Sequence, residues 1–99
     1  MGYKAFVNAT MASTGSTIVE WAATVRRNAK YLRLVGGQAD DSAQLSVLLE
    51  GLLDEFSEIK LILDETDNLS LDKAIQRLTN HARSKNLLDL TKGRSTNVQ

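Results

Sequence analysis

The chain has 99 residues, 42% of them hydrophobic and 24% charged, with aromatics at only 5% and a formal net charge of zero. That is about one domain's length and an ordinary globular composition, which argues against general disorder and leaves a core of Leu, Ile, Val and Ala. With no cysteine and with His81 as the single histidine, disulfides, thiolate nucleophiles, cysteine-ligated zinc and a histidine-rich metal site within one chain are excluded.

In chain order, Tyr3, Phe6, Val7 and Met11 share one helical face, so residues 1–12 are expected to form a short helix or the end of a preceding element. Ala12-Ser13-Thr14-Gly15-Ser16 is a small-residue break. Thr17-Ile18-Val19-Glu20 has the spacing of a capping box, in which hydroxyl and carboxylate satisfy backbone amides reciprocally. Ile18, Trp21, Ala22, Val25, Ala29, Leu32 and Val35 then make an apolar stripe along a helix that Gly36-Gly37 stops. Asp41, with Gln44 three positions on, is the expected cap of the next helix, whose main face is Leu45, Leu48, Leu49 and Leu52. After a turn near Gly51–Asp54, Phe56, Ile59, Ile62 and Leu63 mark a third short helix. Ser70 caps a fourth, with Leu71, Ala74, Ile75, Leu78 and Ala82 on one face, ending near Ser84. Leu87, Leu88 and Leu90 either extend it or pack back, and 91–99 is an expected flexible tail.

Proline, usually about 5% of residues, is absent, which agrees with helices and short connections. The expected fold is all-α, a compact bundle of four to five short helices over 13–90. Its core is expected at Trp21, Val25, Leu32, Leu45, Leu48, Leu52, Phe56, Ile59, Leu63, Leu71, Ile75 and Leu78. No signal-peptide core and no apolar run of about 20 residues is present, so a cytoplasmic protein without a membrane partner is expected.

Zero net charge hides three blocks. Residues 1–39 carry +4, 40–72 carry −9 and 73–99 carry +5. Either these are solvated faces that differ, or opposite blocks attract between copies of the chain. Nucleic acid is expected to bind at most weakly, through phosphate contacts of Lys85, Lys92 and Arg94 in the basic C-terminal block.

Motifs for chemistry are missing. Gly15-Ser16 precedes a helix and lacks the strand and second glycine of a nucleophile elbow. His81 beside Asn80 and Arg83 is expected to be a solvated surface residue. Gly36-Gly37 fits neither a dinucleotide nor a phosphate-loop spacing, and Asp64-Glu65-Asp67 lacks the glycine and ligand order of a calcium loop. No cofactor, metal or enzymatic activity is therefore expected. Ala43, Val47 and Gly51, with Glu50 beside them, recur every four residues roughly opposite the leucine stripe. A small-residue face admits close approach of another helix. That helix is either central in its own bundle or carries a self-association surface.

Asp41-Ser42 followed by Leu48-Leu49-Glu50-Gly51-Leu52-Leu53-Asp54-Glu55-Phe56 resembles the "D-x…LL-x-GLP-x-x-Y" stretch of copia-type LTR retrotransposon Gag proteins, with Leu53 where that family has proline. Leu69-Ser70-Leu71-Asp72-Lys73-Ala74-Ile75-Gln76-Arg77-Leu78 is similar to its "LTLEEV-x-x-RL" helix, and Met11 through Ser16-Thr17-Ile18-Val19-Glu20-Trp21 to its "M-x-x-G-x-S-V-x-E-Y/H" entry. The resemblance covers roughly Met11 to Lys85, and the helix order also looks like the C-terminal domain of retroviral capsids. It implies a structural protein that multimerises into a shell around RNA, with self-association through the helix that holds Ala43, Val47, Glu50 and Gly51. The cysteine-histidine zinc knuckle that usually follows in that family is missing from these 99 residues, so RNA packaging is not assigned to them. The expectation is a fragment of such a Gag protein or a reduced, host-adapted descendant. The alternatives are a helical adaptor or effector-like module, domesticated from Gag or not, that binds another protein without particle assembly, and an RNA-binding domain using Arg26, Arg27, Lys30 and Arg33.

Overall fold

The computed structural model describes residues 9–91, which form five α-helices and one 3-10 turn, with no strand among the described residues. Helix α1 is a single turn, Met11–Thr14. The Thr10 hydroxyl accepts from the Ser13 N–H and the Ser13 hydroxyl oxygen accepts from the Thr10 N–H, both at 2.9 Å. Gly15, at φ 63°, ends it. The small-residue segment expected to be a break thus contains a capped turn. Met11 is fully buried, and its N–H donates to the Gly51 carbonyl at 2.9 Å. Met11 is thereby tied to the end of α3 within the helical body. Tyr3, Phe6 and Val7 lie outside the described residues, as does 92–99 of the expected tail.

Helix α2, Ile18–Leu34, starts at the expected capping box, with Glu20 accepting from the Thr17 N–H at 2.9 Å and Thr17 from the Glu20 N–H at 3.3 Å. Ile18, Trp21, Ala22, Val25, Ala29 and Leu32 are buried along one side. Val35 does not continue the stripe. The last helical residue is Leu34, so Val35 leaves the helical phase and is 70% exposed. Gly36, at φ 88°, turns the chain in the left-handed region that glycine enters without a Cβ clash.

Helix α3, Asp41–Glu50, is capped by Asp40 rather than Asp41: the Asp40 carboxylate accepts from the Ala43 N–H at 2.8 Å. Gln44 is not a capping partner. Its buried side-chain amide donates to the Ala39 carbonyl at 3.0 Å, and Arg33 donates to the same oxygen at 2.6 Å. A 3-10 turn, Asp54–Phe56, leads into α4, Ser57–Asp64. Helix α5, Leu71–Ser84, is capped by Ser70, whose hydroxyl accepts from the Lys73 N–H at 3.1 Å. Asn86, at φ 60°, then reverses the chain, and Leu87, Leu88 and Leu90 pack back against the core.

Helix α3 packs on both α2 and α5, α2 packs on α5, and α4 packs on α5. Of the expected core, Trp21, Val25, Leu32, Leu48, Phe56, Ile59, Leu63, Leu71 and Leu78 are buried. Leu45, Leu52 and Ile75 are only partly buried, at the margin of the same cluster. Leu53 takes the inward position that the leucine periodicity placed at Leu52, because the helix ends at Glu50 and the phase changes there. No described helix is long and apolar enough to cross a membrane.

Candidate interaction surfaces

Gly51 lies at the C-terminal end of α3 and is buried. A Cβ placed on it would stand 2.4 Å from Cζ2 of Trp21, far inside van der Waals contact. The missing side chain makes room for the chain's own indole, so Gly51 is not part of a self-association face. Trp21 also donates its indole N–H to the Leu48 carbonyl at 3.0 Å. That carbonyl lies in the last turn of α3, where helical partners run out. Its neighbours are satisfied too: Val47 O accepts from the Gly51 N–H at 3.0 Å and Leu49 O from the Leu52 N–H at 3.4 Å. Close helix approach and carbonyl capping thus occur at one point inside the bundle.

The rest of the small-residue set is divided. Ala43 and Val47 are partly buried and pack against the core, and Glu50 is exposed with its carboxylate 3.8 Å from the Lys60 ammonium. Ala43, Val47, Glu50 and Gly51 therefore do not make a continuous outer surface. Leu45 borders an open cleft of about 380 Å³ between α3 and the end of α4, together with Leu49, Leu63 and Leu69.

Large apolar side chains reach solvent elsewhere. On α2 and just past it, Val19, Tyr31, Leu34 and Val35 are 54%, 44%, 72% and 70% exposed. On α4, Leu61 and Ile62 are 63% and 53% exposed. The expectation that Ile62 faces the core fails because eight residues of helix bury one side only, and Ile59 and Leu63 occupy it. Of these positions periodicity places only Val35 and Ile62 inside; Val19, Tyr31, Leu34 and Leu61 lie off the expected apolar faces. For Ile62 the available signal is its adjacency to Leu61, since an amphipathic helix this short cannot bury both together with Ile59.

The charges on these two helices have opposite sign. Arg26 is ion-paired with Asp72 of α5, and Arg33 is held by the Ala39 carbonyl. Arg27 and Lys30 are exposed and make no ion pair within the described residues. Around α4, Glu58 and Glu65 are likewise exposed without an ion pair there. The larger cleft, about 540 Å³, is lined by Arg26, Arg33, Asp41, Gln44, Leu71 and Asp72. Its lining carries two guanidinium groups and two carboxylates, Asp41 and Asp72, so the charges it presents to a ligand sum to zero.

His81 is half-buried rather than fully solvated, its ring centroid 6.3 Å from that of Phe56 at a tilt of 52°. Among the described residues no three or more His, Cys, Asp or Glu side chains are grouped to hold a metal ion. Lys85 is exposed at the C-cap of α5, while Lys92 and Arg94 lie outside the described residues. No family model, curated protein or solved structure matches the chain.

Proposed function

We propose that this chain is a non-enzymatic, cytoplasmic helical assembly domain of the copia-type Gag kind, similar to a capsid C-terminal domain, whose work is contact with further copies of itself. The observation that carries the reading is the placement of exposed large apolar side chains on two helices, Leu34 on α2 and Leu61 and Ile62 on α4. Large apolar side chains exposed among charges on a helix face are a feature of protein-binding faces. The motif resemblance between Met11 and Lys85 supplies the class of structure such a face would serve. Contact through the Ala43–Gly51 side of α3 is not part of the proposal, since Gly51 is filled from within by Trp21.

A second reading, an adaptor-like module that binds a different protein without assembling, is favoured by the cleft beside Leu45 and Leu69. Binding of RNA through α2 is the weakest reading, because Arg26 and Arg33 are engaged within the chain. Weak phosphate contacts then remain to the basic C-terminal residues, Lys85, Lys92 and Arg94.

Light scattering across a concentration series separates the first two readings. An assembly domain gains mass as concentration rises, whereas an adaptor stays monomeric up to millimolar concentration.

A further inference from the structure

We infer that copies of this chain join through unlike faces, the outer side of α2 on one copy lying against the outer side of α4 on the next. This rests on the assembly reading above and says which surfaces carry it. On α2, Val19, Arg27, Lys30 and Leu34 follow helical spacing along the side away from the buried stripe, and all four are exposed. On α4 and its C-cap, Glu58, Leu61, Ile62 and Glu65 do the same on the side away from Ile59 and Leu63. One face pairs apolar groups with two cations, the other pairs apolar groups with two anions.

Like faces repel. Laying α2 on a second α2 sets Arg27 and Lys30 against their own copies, and α4 on α4 does the same with Glu58 and Glu65. Laying α2 on α4 turns both sets attractive while Leu34 covers Leu61 and Ile62. The lengths agree as well: Arg27 to Leu34 spans eight residues of helix, as does α4, and eight residues rise about 12 Å. Each copy keeps one face of each kind free, so the contact repeats from copy to copy instead of ending at a single pair. Two short helix faces bury less than the roughly 800 Å² per partner of a standard stable interface, so each contact is weak and assembly needs high local concentration.

The test uses Arg27→Glu/Lys30→Glu, Glu58→Lys/Glu65→Lys, the wild type and an equimolar mixture of the two variants. All four side chains are exposed, so the variants keep the fold, and far-UV circular dichroism verifies it. Sedimentation equilibrium at low salt reads self-association. Each variant alone should associate about tenfold more weakly than the wild type, as two attractive surface pairs become repulsive. The mixture should recover association, because the acidic α2 of one variant then meets the basic α4 of the other. If the wild type associates and the variants match it, or if the mixture stays as light as its components, the unlike-face contact is wrong while the assembly reading stands. A wild type that remains monomeric throughout removes both.

Discussion

Trp21 occupies the space that a side chain on Gly51 would need, with Cζ2 2.4 Å from where a Cβ would stand. This contact brings α2 against the end of α3 and ties in α1, because Met11 donates its N–H to the Gly51 carbonyl. Replacing Gly51 by Ala is expected to cost about 1–3 kcal/mol through overpacking. The backbone there, at φ −90°, is one any residue adopts, so the cost is steric. Gly36→Ala should cost about 1–2 kcal/mol for the opposite reason: space is open, but φ is 88°. Urea unfolding followed by the fluorescence of Trp21 checks both. Crystal or solution structures should show a displaced indole in the first variant only.

The indole N–H of Trp21 is the partner of the Leu48 carbonyl in the last turn of α3. Trp21→Phe keeps an aromatic ring in the core but removes that donor. It should cost about 2–3 kcal/mol, from the stranded carbonyl together with the lost ring volume. Thermal unfolding by circular dichroism is the measurement, and the amide protection of the Gly51 N–H should fall along with that of its neighbours.

Asn28 is 5% exposed on α2, and its Oδ1 is buried without a hydrogen-bond partner. A polar atom in that state costs about 1–3 kcal/mol relative to a paired one. Asn28→Leu, similar in size and wholly apolar, is therefore expected to stabilise the fold by about 1 kcal/mol. A midpoint of urea unfolding that falls instead would show that the carbonyl is engaged in solution.

Asp40 and Asp41 are adjacent, but Asp40 alone accepts the Ala43 N–H as N-cap of α3. Asp40→Ala should cost about 1 kcal/mol. Asp41→Ala loses only an acidic group in the first turn and should cost at most about 0.5 kcal/mol. Parallel unfolding curves of the two variants give the comparison directly.

That pair also shows where sequence reading reaches its limit. The all-helical class, the Thr17 and Ser70 caps and the buried side of α2 as far as Leu32 follow from local chemistry, since spacing and side-chain oxygens decide them within a few residues. Choosing between two neighbouring carboxylates depends on Gln44 reaching the Ala39 carbonyl and on which leucines of α3 face inward, which is a tertiary matter. Of Ala43, Val47 and Gly51, spaced four apart, Gly51 meets a close approach, but periodicity carries no information on whose side chain approaches. Here it is Trp21, from thirty residues upstream. Leu61 and Ile62 illustrate the converse. Helical spacing places Ile62 inside, and the packing of Ile59 and Leu63 on the other side of a two-turn helix leaves it outside beside Leu61.

The proposal of self-assembly through α2 and α4 is tested most directly by following backbone amide resonances of uniformly labelled protein from micromolar to millimolar concentration. Shifts confined to two groups, Arg27–Leu34 on α2 and Glu58–Glu65 around α4, and reduced at high salt, are the predicted result. Spectra that do not change with concentration, or changes centred on Ala43 and Val47 of α3, would contradict it.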